Sequence, residues 1–399
     1  MSLIAGPVSF SRFRVAGGSP KRLDDALLEK LRGRLVGARR DARPDGRDTG
    51  WIGGRHLLDR EFDIEKNVIL DCLHFGLRID GSQIPSELMY AYVQMELVSL
   101  LKERRGGGKE NGNEGGRSIG SMKKQAKEAA ARRAELEIKE GRYRRMRQAS
   151  ILWDTRRDVL YFGATVPAVQ EELHPVFRET FGKRLEPVTA GSLAQRWAEE
   201  QGASRRLEGL KASTYVPHPS GNGHIDVYWT AHDASSHDFL GNEFLLWLWY
   251  VLAERSDTIE LPDATDASVL IVKQLMLECP WAESGKEVIS CDGPTRLPES
   301  RRAIHTGKLP RRAGLIVSRQ GDQYEFILQA ETLNVTSAVL PRITKNGNGH
   351  GRAQVEERVE QVRHLGETID LLYFAFLRVR LSDDWQEQQL AMQGWLKGL

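Results

Sequence analysis

The clearest feature of the hydrophobic and polar pattern is a change of periodicity near residue 148. Residues 122–147 are dominated by Ala, Glu, Lys and Arg and are interrupted only by Gly141, which is the composition of a helix. Residues 151–153 and 159–162 are instead β-branched and aromatic, and they bracket a polar turn at residues 154–158. The sequence therefore predicts a long helix that leads directly into a β-hairpin.

Alternation and helical spacing predict further elements on both sides of this segment. The predicted strands are residues 8–15, 68–79, 185–188 at a sheet edge, 269–279, 313–319 and 324–331. The predicted helices are residues 21–36, 85–101, 167–181, 193–197, 296–305 and 355–379. Together they predict an α+β protein with mixed and antiparallel sheets, long amphipathic and basic helices, and an elongated or horseshoe-shaped protomer.

Composition shifts divide the chain into five predicted regions. These are an N-terminal α/β region at 1–104, a Gly-rich flexible loop at 105–117, a basic helix, hairpin and helix at 118–200, a polar insertion at 201–238, and a C-terminal α+β region with a long terminal helix at 239–399. Residues 239–250 are the most hydrophobic part of the chain, which predicts a core segment or a subunit interface, with an aromatic ligand cage as the alternative.

The overall composition indicates a globular protein with no membrane segment. The chain has 399 residues, of which 40% are hydrophobic and 28% charged, so it can bury a large core. Its longest apolar run, residues 244–253, is about half of the roughly 20 residues needed to cross a bilayer. Three cysteines without CxxC spacing suit a reducing compartment, and we expect a cytoplasmic protein without a signal peptide.

The charge is distributed unevenly. The net charge is only +2, but residues 117–147 contain eleven Lys or Arg against four Glu. This segment has few large apolar residues, so we expect it to lie on the surface with a basic side in solvent, as a phosphate-facing element would. A solvated helix whose charges have no specific role is the alternative interpretation.

No standard catalytic motif is present, since the chain lacks a P-loop, GxSxG, HExxH and a Rossmann glycine pattern. Asp154 and Asp158 could bind Mg²⁺ in a nuclease, but salt bridges to the neighbouring Arg156 and Arg157 explain them equally well. We expect no enzyme activity, no metal and no cofactor. The best metal-ligand candidates lie in a segment that we interpret as a polar loop: His218, His224, Asp226, His232, Asp233, His237 and Asp238.

An ordered series of features resembles the RdgC-type recombination-associated proteins of bacteria. It comprises Gly50-Trp51, then Arg78-Ile79-Asp80, Ile84-Pro85, the Lys-rich helix, and Trp153-Asp154 at the start of the hairpin. The resemblance covers about residues 50–197 and is less specific in the C-terminal half. The chain departs from the family where a Leu-Pro-Arg-x-Phe motif is usual, because residues 140–144 match only at Arg142.

This resemblance implies a cytoplasmic, nucleoid-associated protein that dimerises into a ring around double-stranded DNA and restrains RecA-promoted strand exchange. Binding without sequence preference requires Lys and Arg that face phosphates. The candidate DNA-binding residues are Lys123, Lys124, Lys127, Arg132, Arg133, Arg142, Arg144 and Arg145, with Arg301, Arg302, Arg311 and Arg312 as a second patch. A metal-dependent nuclease and a protein-interaction module without DNA affinity remain alternative functions.

Overall fold

The computed structural model describes residues 2–37, 47–106, 119–216, 227, 229–230, 236–280, 287–294, 298–343 and 351–398. Within these ranges, eleven helices accompany thirteen strands that are linked into one sheet. All pairings between the described strands are antiparallel. The predicted α+β class is confirmed.

The elements are numbered along the chain. The strands are β1 (Val8–Val15), β2 (Asp48–Ile52), β3 (Val68–Ile69), β4 (Cys72–Ser82), β5 (Arg144–Asp154), β6 (Val159–Phe162), β7 (Leu185–Pro187), β8 (Thr258–Glu260), β9 (Asp266–Glu278), β10 (Glu287–Pro294), β11 (Leu309–Arg319), β12 (Asp322–Gln329) and β13 (Val335–Val339). The helices are α1 (Asp25–Arg32), α2 (Ile64–Asn67), α3 (Ser86–Gly106), α4 (Ile119–Lys139), α5 (Pro167–Phe181), α6 (Ala190–Glu200), α7 (Ser204–Glu208), α8 (Phe239–Glu254), α9 (Pro298–His305), α10 (Arg352–Arg380) and α11 (Trp385–Gly398).

Strand β1 joins two halves of the sheet, whose main order is β10-β9-β11-β12-β13-β1-β6-β5-β4-β2. Val8 and Phe10 pair with β13, and the following residues of β1 pair with β6 and β7. The N-terminal strand therefore connects a sheet half formed by β2, β4, β5 and β6 to one formed entirely by C-terminal strands.

Some predicted elements have the predicted bounds, others differ from them by a few residues, and one strand prediction is wrong. Strand β1 and helix α5 begin and end where the pattern placed them, and α5 contains Pro175 in its interior. The strand predicted at 68–79 is wrong as a single element. The backbone turns at Leu70, whose φ is +52°, so residues 68–69 form β3 and fold back to pair with β4.

Two hydrophobic clusters stabilise the sheet. Helices α1 and α5 cover one face of the N-terminal half, where the large buried side chains include Phe75, Trp153 and Phe177. Helices α8 and α10 cover the opposite face and extend over the C-terminal half. The first thirteen residues of α8 are buried, which confirms a core role for residues 239–250. Gly241 permits the close approach of α8, because a Cβ there would lie 1.9 Å from the Ala330 carbonyl oxygen.

Helix α10 carries ion pairs to both halves of the sheet. The guanidinium of Arg363 donates to both oxygens of Asp154, at 2.8 and 2.9 Å, and Asp154 is fully buried at the end of β5. Asp370, also on α10, pairs with the buried Arg12 of β1. A bidentate pair of this kind is strongly directional, so it fixes how α10 crosses the sheet.

Replacing Arg363 with Leu is expected to lower the free energy of unfolding by about 3–5 kcal/mol, because the change leaves the buried Asp154 carboxylate without its cation. Arg157→Gln is the matched control, since it removes an exposed pair with Glu367 between α10 and the turn that follows β5 and should cost less than about 1 kcal/mol. Denaturant unfolding measures both. Equal losses in the two variants would contradict the role of the buried pair.

His74 lies inside β4 with 2% of its surface exposed, and its Nε2 lies 3.0 Å from the Ser150 hydroxyl. Burial disfavours the charged imidazolium and lowers the pKa of His74 to about 4. The unfolded chain therefore binds a proton near pH 6.5 that the folded chain does not accept until about pH 4.

Stability should therefore fall as the pH decreases from about 6.5 to about 4, with a contribution from His74 of up to about 1.4 kcal/mol per pH unit. His74→Gln removes this proton uptake, so its unfolding free energy should depend less on pH in that window. Unfolding titrations at several pH values compare the two proteins. The same pH dependence in the variant would contradict the assignment to His74.

Candidate nucleic-acid interface

Helices α3 and α4 form a helical hairpin and pack mainly on each other. The side of α4 that faces α3 is a stripe of three alanines at four-residue spacing, with a methionine at one end and a glutamate at the other: Met122, Ala126, Ala130, Ala134 and Glu137. Alanine allows two helices to approach closely, so α4 buries a side on which three of the five residues are alanines. The four-residue period of its alanines was the sequence signal for this contact.

The basic helix ends earlier than predicted. It was expected to continue to Arg147, but α4 ends at Lys139, and the chain reverses through Gly141 and Tyr143, whose φ angles are +83° and +60°. Arg142 lies in this turn, and β5 begins at Arg144. Arg144 and Arg145 are consecutive strand residues and so point to opposite faces of the β4–β5 ribbon.

A buried carboxylate holds this turn in place. Glu137 accepts hydrogen bonds from the Tyr92 hydroxyl at 2.7 Å and from the Tyr143 hydroxyl at 2.8 Å. These two hydrogen bonds favour the ionised carboxylate and lower the pKa of Glu137. Arg133 lies 4.2 Å above the ring of Tyr92. The cluster joins α3, α4 and the start of β5, and no sequence motif indicated it.

The predicted cations of α4 have different environments. Lys123, Lys124 and Lys127, which we name the lysine cluster, are exposed and form no ion pair among the described residues. Arg132 is also exposed and unpaired in that part of the chain. It lies five residues after Lys127, roughly 140° further around the helix, so it faces another side. Arg133 pairs with Glu137, and Arg142 pairs with Glu140 at 3.3 Å.

The arginines at the start of β5 are separated from the lysine cluster by most of the length of α4. Arg144 is exposed on one face of the ribbon. Arg145 is on the other face, where its Nη1 donates to the Gln83 side chain at 2.8 Å, and Arg147 follows it on the same face. The structure therefore does not bring these arginines and the lysine cluster onto one continuous surface.

The second predicted patch is not assembled as expected. Arg311 is directed to the protein interior, where it pairs with Glu278 at 2.8 Å and Glu331 at 2.7 Å and lies over Trp229. Its charge is neutralised, so we omit it from the interface. Arg302 and Arg312 are exposed on α9 and β11. The side chain of Arg301 lies outside the described part of the structure.

The nuclease candidates have structural partners. Asp154 is held by Arg363, as described above, and Asp158 accepts the Ser19 backbone N–H at 2.6 Å. No group of three or more His, Cys, Asp or Glu side chains suited to a metal ion occurs among the described residues. Of the predicted metal-ligand candidates, all except His237 and Asp238 lie outside those residues, and Asp238 accepts the Gly191 backbone N–H at 2.9 Å.

Comparison with models of known protein families gives no match, and comparison with curated proteins gives none either. The resemblance to RdgC-type proteins thus rests on the residues quoted for it, and several of these have structural roles here. The Trp51 indole N–H donates to Thr180 at 2.8 Å, the Trp153 indole N–H donates to Ser19 at 2.9 Å, and Arg78 pairs with Asp80. Within the described ranges, no helix combines the length and apolar character needed to span a membrane.

Glu137→Gln is expected to loosen the α3–α4 hairpin without unfolding the protein, because a neutral amide oxygen accepts the two tyrosine hydrogen bonds more weakly than a carboxylate does. Amide hydrogen exchange in α3 and α4 should become about tenfold faster or more, with unchanged rates in α10. Glu128→Gln is the control, since Glu128 is exposed on the same helix. Similar amide exchange rates in the Glu137→Gln and Glu128→Gln variants would show that Glu137 and its tyrosine partners do not hold the hairpin together.

Proposed function

We propose that the protein binds double-stranded DNA without sequence preference, and that the lysine cluster on α4 is its principal contact. The observation that carries this proposal is the free charge of Lys123, Lys124 and Lys127, which are exposed and have no carboxylate partner among the described residues. Elsewhere on the hairpin, Arg133, Lys139 and Arg142 are already paired with glutamates. The lysine cluster is thus the part of the hairpin best able to exchange solvent ions for phosphates.

The spacing of these lysines suits a DNA backbone. Lys123 and Lys127 are separated by about 6 Å along the helix axis at 1.5 Å per residue. For a helix that lies along the duplex axis, this distance corresponds to about two phosphate steps of one strand, at 3.4 Å per step. Lysine is a flexible point charge, and its contacts to phosphates give affinity without sequence preference.

A homodimer is part of the same proposal. Met95, Val98 and Leu101 are 57%, 48% and 38% exposed on α3, and apolar side chains at this spacing on one helix are typical of a surface that pairs. The resemblance to RdgC-type proteins extends the proposal to a ring around DNA, association with the nucleoid and restraint of RecA-promoted strand exchange. The same apolar residues favour the alternative of a protein-interaction module without DNA affinity.

Binding to a DNA duplex of arbitrary sequence, titrated without Mg²⁺ at several salt concentrations, tests the proposal. Counterion release predicts that the logarithm of the association constant falls linearly with the logarithm of the salt concentration, with a slope of about −0.9 for each phosphate contacted. Changing Lys123, Lys124 and Lys127 together to Gln should weaken binding and reduce the magnitude of this slope by up to about 2.7.

Lys21, Lys30 and Lys397 changed together to Gln provide a control with the same loss of charge at exposed positions elsewhere. The control variant should keep the salt slope of the natural protein. Equal effects of the two triple variants would show that total charge, not this helix, determines binding. No binding at low salt would exclude the proposal and favour the protein-interaction alternative, and DNA breakdown on adding Mg²⁺ would favour a nuclease.

A further inference from the structure

A cavity of about 380 Å³ lies beside the ends of β4 and β5 at the start of α5. Its volume is at the small end of the about 300–1,000 Å³ that small-molecule sites occupy. Three arginines line it, Arg47, Arg145 and Arg147, together with one acidic residue, Glu172. The cavity is distinct from the lysine cluster, since its cations come from strands and a loop and none comes from α4.

The strand register explains why two of the arginines converge. Arg145 and Arg147 are two residues apart on β5 and so project from the same face, opposite Gly81 and Ile79 of β4. Gly81 leaves the space next to Arg145 open, because a Cβ at that position would meet nothing nearer than the Arg47 Cγ, at 3.6 Å. A pocket therefore exists where a larger residue in β4 would have filled it.

The charges around the cavity are unbalanced. Glu172 is 8% exposed and is engaged by the Thr49 hydroxyl at 3.1 Å and by Arg47 at 3.3 Å. Arg145 donates to a neutral amide, and among the described residues neither Arg145 nor Arg147 has an ion pair. Positive charges held close together repel each other, and a bound anion relieves that repulsion. The N-terminus of α5 carries a partial positive charge that adds to the positive potential, since no acidic residue in the first turn offsets it.

We propose that this cavity binds a small organic phosphate of about nucleotide size. Arg145 and Arg147 hold the phosphate, because the guanidinium fork matches phosphate oxygens better than other side chains do. Ile79 and Val169 provide an apolar wall for the organic part. Glu172 repels the phosphate and accepts a hydrogen bond from a ligand hydroxyl or amine, so the ligand has one orientation. This site does not depend on the proposed DNA binding.

Isothermal titration calorimetry with adenosine 5′-monophosphate tests the site, with adenosine and inorganic phosphate as comparison ligands. Saturable binding at one site per chain is expected, and adenosine should bind more weakly because it lacks the phosphate. Arg147→Gln removes one cation, and Gly81→Val fills the cavity without changing its charge. Each should weaken binding by about tenfold or more, and thermal unfolding checks that both variants are folded.

Further titrations distinguish a free nucleotide from the DNA backbone as the source of the bound phosphate. The triple lysine-to-glutamine variant of α4 should bind the nucleotide as well as the natural protein does. Absence of saturable binding at millimolar nucleotide would overturn the proposal, as would affinity that neither cavity variant changes. Displacement of the nucleotide by a short DNA duplex, together with loss of DNA binding in Arg147→Gln, would also overturn it, because the cavity would then be part of the DNA surface.

Discussion

The buried pair between Arg363 and Asp154 is the interaction on which the rest of the structure depends. It ties α10, the longest of the described helices, to the end of β5. The other end of β5 leads into the α3–α4 hairpin through the turn at Gly141. Because Asp370 on the same helix holds β1, which joins the two sheet halves, one helix orients both. The strand from which the α3–α4 hairpin extends is thus anchored by a charge pair in the core.

The early end of α4 separates the basic residues into two groups with different surroundings. If the helix had continued to Arg147, its arginines and lysines would have formed one long basic rod. The turn at Gly141 and Tyr143 instead passes Arg145 and Arg147 to a strand, where they line a cavity with Glu172. The lysine cluster remains on the outer surface of the hairpin. An extended polyanion suits the outer surface, and a small anion suits the cavity.

Features set by local pattern were predictable from the sequence, and features set by distant partners were not. The bounds of β1 and α5 follow from the alternation and the helical spacing of residues that are close together in the sequence. The start of β5 depends on pairing between Arg144 and Ser82, which are far apart in the chain, and a lone Gly141 is tolerated inside many helices. Arg311 looked like a surface cation because Glu278 and Glu331 are remote in sequence. The lysine cluster was predicted correctly as exposed, whereas the cavity requires β4, β5 and α5 together.

Lysine footprinting tests most directly whether the lysine cluster contacts DNA. A limiting acylating reagent modifies the protein with and without duplex DNA, and mass spectrometry quantifies each site. We expect DNA to protect Lys123, Lys124 and Lys127, while the exposed Lys30 and Lys397 react at unchanged rates. Saturating DNA that protects other lysines and leaves these three fully reactive would contradict the assignment of this helix as the DNA contact.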